Sequence, residues 1–272
     1  MCPDPRSHWI LVRGLIREAA HWDDFPSAFE AAIPGARVVC LDLPGSGRLW
    51  RQPSPSSIAG MVDALQSALD DDAVHRESTA SHRAPCFILA ISLGGMVAIE
   101  WLRRNPQRFA GGVLINTSLR GLSSFHERLN WRSWPYLARI LATADARHRE
   151  RLILALTTSN PAEDQETLLD RRARIYRERP VRGLNLARQL VAAARYRAPL
   201  QRPSVPVLLL AGARDRLVDP LCTRKLAAAW DIVPRVHASA GHDLPLDNPV
   251  WVIDQVRRWL AESFGEVLGD RF

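Results

Sequence analysis

The chain has 272 residues, of which 47% are hydrophobic and 24% charged, with a formal net charge of +7. That length suits one large α/β domain carrying an insertion, with enough residues to bury a sizeable core, and no stretch is apolar for long enough to span a bilayer. The basic balance raises nucleic acid or an anionic surface as partners, but the arginines are spread along the whole chain with no Lys/Arg block. The densest groups, Arg147 to Arg151 and Arg171 to Arg174, lie among acids and apolar residues at helical spacing and read as solvated helix faces. Nucleic-acid binding is therefore not expected.

From the N-terminus, Met1 to His8 is polar, so no secretory leader is expected and the default compartment is a reducing, cytoplasmic one. Trp9 to Val12 is a strand candidate ending at Arg13-Gly14, and Arg37 to Leu43 is a second, stopped by Pro44-Gly45. Ile58, Met61, Val62, Leu65 and Leu69 share one helical face, and Asp70 to Pro85 is a polar connection. Cys86 to Ile91 is the most continuous apolar run and leads straight into a helical stretch, Leu93 to Arg104, that stops at Asn105-Pro106. Gly112 to Asn116, Val205 to Ala211 and Arg235 to Ala238 are further strands, and Trp251 to Phe264 is a closing amphipathic helix. Of the cysteines Cys2, Cys40, Cys86 and Cys222, no two form a CxxC pair, and Cys40 and Cys86 sit in strand-like runs as small buried hydrophobes.

Continuous β-branched runs separated by helices predict parallel strands buried on both faces, in a doubly wound, mostly parallel α/β sheet. One region breaks the alternation. From Ser118 to Pro203 no strand pattern occurs, and the residues read as several Arg-, Leu- and Ala-rich helices. The expected organisation is a core of residues 1–117 and 204–272 with a helical cap, residues 118–203, over the C-terminal edge of the sheet, where open α/β sheets bind ligands. The aromatics Phe125, Trp131, Trp134 and Tyr136 of this region fit either a substrate wall or packing within the cap.

The segment Phe87 to Met96 carries the most chemistry. A buried strand ends at Ser92 and a helix begins at once, so the turn is tight, with the small residues Ala90 and Gly94 two positions to either side. A serine there takes a strained backbone conformation and exposes its hydroxyl at a helix N-terminus, where N–H groups and the dipole favour a developing anion. A plain helix N-cap is the alternative role for Ser92. The hydroxyl needs a base, and the base needs an orienting acid. Asp215 follows the late strand Val205 to Ala211, whereas Asp219, just before Pro220 and a helical stretch, reads as an N-cap. His242 lies in the loop after the last strand, and the nearby His237 falls inside the strand pattern. Two N–H donors could hold an oxyanion, from Leu93 just after Ser92 and from Leu15 in the loop after the first strand.

Together Val12-Arg13-Gly14 with Trp22, Asp42-Leu43-Pro44-Gly45-Ser46-Gly47, the Ala90-x-Ser92-x-Gly94 turn and the Asp215 and His242 loops resemble the α/β-hydrolase superfamily from Trp9 to Leu260. The resemblance implies Ser92, His242 and Asp215 as a catalytic triad, with Leu15 and Leu93 as oxyanion donors. It departs from the family pattern at Arg13, where His is usual, and at Ala90, where Gly is usual. Arg13 could meet an anionic substrate group or form a structural ion pair. Ser92 in place of an aspartate speaks against haloalkane dehalogenases and epoxide hydrolases, which share the fold. No phosphate-binding Gly-rich loop and no metal-ligand pattern occurs, so no cofactor or metal is expected. The expected activity is hydrolysis of a small to medium acyl compound, an ester first, with thioester, amide, lactone or carbon–carbon cleavage or a non-catalytic binding role as alternatives.

Overall fold

The computed structural model describes residues 7–71, 84–160 and 164–268. Among them six strands form one sheet: β1 (Ser7–Val12), β2 (Ala36–Leu41), β3 (Cys86–Ile91), β4 (Gly111–Ile115), β5 (Val207–Gly212) and β6 (Arg235–His237). All pair in parallel, in the order β2-β1-β3-β4-β5-β6. The helices α1 (Phe25–Ala32), α2 (Ile58–Asp71) and α3 (Leu93–Arg104) accompany the first half of the sheet. Between β4 and β5 come α4 (Phe125–Arg128), α5 (Trp134–Ala142), α6 (Ala146–Thr157), α7 (Gln165–Glu178) and α8 (Gly183–Arg195). The chain closes with α9 (Leu221–Trp230), α10 (Leu244–Asp247) and α11 (Pro249–Leu268).

The strands are continuously apolar because both faces of the sheet are covered. Side chains alternate between faces along a strand. Ile10, Val12, Ile88, Ala90, Leu114 and Leu209 therefore pack with residues of α2, α3 and α9, such as Met61, Leu65, Trp101 and Leu226. Their neighbours Trp9, Leu11, Phe87, Leu89, Val113 and Leu208 pack on the opposite face with residues of α1 and α11, such as Phe29 and Val256. Trp9 and Phe87 stack with ring centroids 4.7 Å apart. Fully burying each such aliphatic or aromatic side chain stabilises the fold by about 1.5–3 kcal/mol.

Two readings of the sequence need correction. The group Arg171 to Arg174 is only partly a solvated face: Arg172 is completely buried and bonds Asp23, and in the earlier group Arg149 is buried with its Nη1 on the Ile140 carbonyl. Helical spacing sends one residue in three or four inward, where Arg172 finds the carboxylate of Asp23 and Arg149 a backbone carbonyl. The strand cysteines Cys40 and Cys86 are half-buried rather than enclosed, because Cys40 lies on the edge strand and Cys86 starts its strand. Burial still pushes both thiols up to about 12, so neither is a reactive thiolate. The polar connection read from Asp70 to Pro85 begins inside α2, and positions 72–83 lie outside the described residues. Cys2 also lies outside them.

Candidate active site

Ser92 occupies the junction of β3 and α3 with φ 57° and ψ −117°, a conformation that costs a non-glycine residue about 1–3 kcal/mol. The surroundings impose it. The Ser92 N–H donates to the Ile115 carbonyl at 2.9 Å, and Thr117 Oγ1 donates to the Ser92 carbonyl, also at 2.9 Å. Gly94 is obligatory: a Cβ there would stand 2.6 Å from the carbonyl oxygens of Val12 and Arg13. Ala90 is fully buried without displacing the turn, so the position two before the serine accepts a methyl group while the position two after does not. Gly14 is tight but less so, since a Cβ on it would lie 3.0 Å from the Ser92 Cβ. Ser92 has no side-chain capping bond to α3, so the helix N-cap role leaves its hydroxyl unused.

His242 and Asp215 meet on loops that follow β6 and β5. His242 Nδ1 donates to Asp215 Oδ2 at 2.6 Å, and both side chains are buried. The other oxygen, Oδ1, accepts the N–H groups of Leu217 at 2.8 Å and Val218 at 2.9 Å, which fixes the carboxylate plane. Asp219 does something else: its Oδ1 accepts the Leu221 N–H at the start of α9. His237 is turned away, with its ring edge-on to Trp251 and its Nδ1 accepting from Ser239 and Ala240.

Ser92 and His242 line the same cavity of about 280 Å³, together with Gly14 and Leu15 from the loop after β1 and with Leu93. The Leu15 N–H donates to no acceptor among the described residues, and Leu93, as the first residue of α3, has no intrahelical acceptor. The remaining walls are mostly apolar and come largely from the helices between β4 and β5: Leu137, Ile140 and Leu141 of α5, Ile153 and Leu156 of α6, and Leu186 and Leu190 of α8. Among the aromatics of this region, Phe125 lines the cavity, whereas Trp131, Trp134 and Tyr136 are exposed.

Arg13 makes a structural ion pair. Its guanidinium donates to both oxygens of Asp243, Nη1 at 2.9 Å and Nη2 at 2.6 Å, and lies 4.8 Å from the centre of the Trp22 ring. Burial by itself would raise the Asp243 carboxyl, but the charge and hydrogen bonds of Arg13, with Arg172 and Arg17 beyond, hold it well below the usual carboxylate range. Arg17 also reaches the cavity wall, yet its Nη1 is bound to Glu150 of α6 at 2.7 Å. His21 sits among these arginines. Burial, then Arg17, Arg172 and Arg13, drive its pKa far down, so it stays a neutral imidazole that accepts the Glu18 N–H on Nδ1.

Three organising residues escaped the sequence reading. Asn116, at the end of β4 with φ 49°, donates from Nδ2 to the carbonyls of Gly241 at 3.1 Å and His242 at 2.8 Å, and accepts the Gly212 N–H at 3.0 Å. One side chain thus ties the ends of β4 and β5 to the histidine loop. Gln189 of α8 accepts the Ile16 N–H at 3.2 Å and donates to Ser46 and Ser54, tethering the Leu15 loop to the helices above. Asp243 is the third. An asparagine closing an apolar strand carries a weak signal, since Asn tolerates positive φ. A Gln or Asp with partners more than a hundred positions away carries none. Among the described residues no cluster of His, Cys, Asp and Glu is arranged to hold a metal ion.

An open parallel sheet with a strained serine turn and an apolar cavity at its C-terminal edge defines the class, an α/β enzyme of the hydrolase type. The chain belongs to the alpha/beta hydrolase family, whose match spans residues 9–255. It is 25% identical over 271 residues to the pimeloyl-[acyl-carrier protein] methyl ester esterase of Serratia marcescens, covering 93% of each chain. Over 88 residues, 32% of each chain, it is 30% identical to the phospholipase YtpA of Bacillus subtilis. Solved structures share the fold. The enol-lactonase of Burkholderia xenovorans superposes with a TM-score of 0.72 at 18% identity, over 94% of this chain and 91% of that one. A thermophilic esterase of Thermogutta terrifontis superposes with a TM-score of 0.66 at 20% identity, over 94% and 90%.

Proposed function

We propose that the protein is a serine hydrolase that cleaves a small to medium carboxylic ester through an acyl-enzyme. The observation that carries this reading is the buried His242–Asp215 hydrogen bond of 2.6 Å, with His242 on the wall of the cavity that also contains the strained Ser92. In this mechanism His242 Nε2 takes the Ser92 hydroxyl proton while Oγ attacks the ester carbonyl carbon. The N–H groups of Leu93 and Leu15 receive the oxyanion, and Asp215 holds the imidazole in the Nδ1–H tautomer and stabilises its cation. His242 returns the proton to the leaving alcohol as the carbon–oxygen bond breaks. Water, deprotonated by His242, then attacks the Ser92 ester, and the acid departs.

The apolar walls suit the hydrocarbon part of an acyl group, and residues 118–203 act as the cap that selects it, over a core of residues 1–117 and 204–272. An ester is favoured over other bonds because the relative from Serratia, matched along nearly the whole chain, is named a methyl ester esterase. A panel of p-nitrophenyl esters of increasing chain length, with a fluorophosphonate probe, tests the reading. Turnover and single-site labelling, both lost in Ser92→Ala, are expected. A folded protein with neither, or with turnover confined to lactones, thioesters or diketones, would replace it.

A further inference from the structure

The cap residues carry an apolar face that is exposed among the described residues. Trp131 is 60% exposed, Phe125 57%, Leu141 60% and Trp134 49%. These residues are joined, not scattered. Phe125 and Trp134 meet edge to face, with ring centroids 6.3 Å apart. Phe125 and Leu141 also line the cavity that contains Ser92, so the apolar surface reaches from solvent to that chamber, where Arg128 and Ser118 are also part of the lining. On α8, across the opening, Leu190 both lines the cavity and reaches solvent, and Leu184 is more exposed still.

The charge around this face is one-sided. From Arg182 to Arg202 the sequence has five arginines and no acid. From Leu119 to Thr143 it has four arginines against Glu127 alone, and Glu127 is held by Lys225 at 2.7 Å. Arg132, Arg139, Arg188 and Arg195 are all exposed. By contrast, the deeper arginines Arg13, Arg17 and Arg172 are each matched by a carboxylate. The cations of these two stretches thus face solvent without a neighbouring acid other than Glu127, although exposed arginines also occur elsewhere, such as Arg174, Arg177 and Arg224.

Exposed Trp, Phe and Leu bordered by arginines are the combination that settles at the boundary of a lipid layer: rings and aliphatic groups enter the headgroup region, and guanidinium groups meet its anions. We infer that the face formed by α4, α5 and α8 docks on an anionic lipid surface, so that the cavity opens directly toward the acyl chains. An acidic protein would satisfy the arginines, but it would leave no reason for the apolar rim to continue inward to the cavity. Lipid satisfies both.

Co-sedimentation of the full chain with vesicles tests this, using phosphatidylcholine alone and phosphatidylcholine with about one third phosphatidylglycerol. Binding is expected to be at least about tenfold tighter on the anionic vesicles and to weaken as salt rises, because surface charges are screened. Trp131→Ser with Trp134→Ser, and separately Arg132→Glu with Arg139→Glu, should each lower it about tenfold, since none of the four residues lines the cavity. Unchanged melting temperatures show that these variants fold. Equal binding to neutral vesicles, unaltered binding by both variants, or affinity for an acidic acyl-carrier protein with none for vesicles overturns the inference. The readout is binding, so it stands or falls separately from the ester-hydrolysis reading.

Discussion

Arg13 grips Asp243 through both carboxylate oxygens, and each residue stands next to a group that faces Ser92. Arg13 leads into Gly14 and Leu15 of the loop after β1, which lines the cavity, and Asp243 follows His242 directly. The pair therefore locks together two loops that come from opposite ends of the chain, 230 positions apart. A family in which histidine usually fills the first position leaves room for this substitution because the arginine is satisfied internally and adds no free charge to the cavity.

Breaking the pair should be costly. Asp243→Asn leaves Arg13 buried beside a neutral amide, and removing one partner of a buried pair costs about 3–5 kcal/mol. Denaturant midpoints measure it. The sign of the pH effect follows from the carboxyl being held below its ordinary value of 3.8. Its stabilising contribution is complete above that value and declines as pH falls through the depressed folded value. The gap between parent and Asp243→Asn should therefore be constant near neutrality and narrow only below pH 3.8. A gap that widens in acid would refute the assignment.

For catalysis, Ser92→Ala and His242→Ala should each lower kcat by about 10⁴- to 10⁶-fold with little change in melting temperature, and Asp215→Asn by about 10⁴-fold. The double variant of Ser92 and His242 should be no worse than either single one, because the residues act as a unit. Steady-state kinetics on a p-nitrophenyl ester, with the fluorophosphonate label as an active-site count, decide the matter. Additive losses would show that the groups act independently.

At the elbow the two flanking small residues should respond in opposite ways. Gly94→Ala places a methyl group against the Val12 and Arg13 carbonyls and should destabilise by about 1–3 kcal/mol while displacing the Leu93 N–H. Ala90→Gly, a change toward the usual family residue, should cost no more than about 1 kcal/mol of strand stability and leave kcat within a fewfold of the parent. Thermal melts and kinetics on both variants check the contrast.

Asn116→Ala removes two donors and one acceptor from buried backbone partners, each worth about 1–3 kcal/mol when left unsatisfied. Because its partners include the His242 carbonyl, kcat should fall more than KM rises, and hydrogen exchange of the Gly241 to Leu244 loop should accelerate. A variant that melts early yet keeps an ordered loop and full kcat would assign Asn116 to the scaffold alone.

The strands, their parallel character and the serine turn were all legible in the residues themselves. Continuous apolar runs such as Cys86 to Ile91 arise only where both faces of a strand are buried, and a small–x–Ser–x–small turn between strand and helix is a local steric requirement. Local pattern, with chain order, favoured Asp215 over Asp219 and His242 over His237, since a residue before a proline and a helix caps it and a residue in a strand packs there. Helical spacing misled at Arg172, because periodicity shows which residues share a face but not which interior acids await them.

What the sequence determined by itself is whatever depends on neighbours within a few residues: the sheet, its layers and the tight turn at Ser92. The tertiary structure alone decided that Arg13 faces Asp243 rather than a ligand, that Asn116 and Gln189 hold the loops around the cavity, and that Phe125, Trp131 and Trp134 remain in solvent. These outcomes depend on partners brought together from distant positions, and a pairing across 230 residues leaves no local pattern from which it can be read.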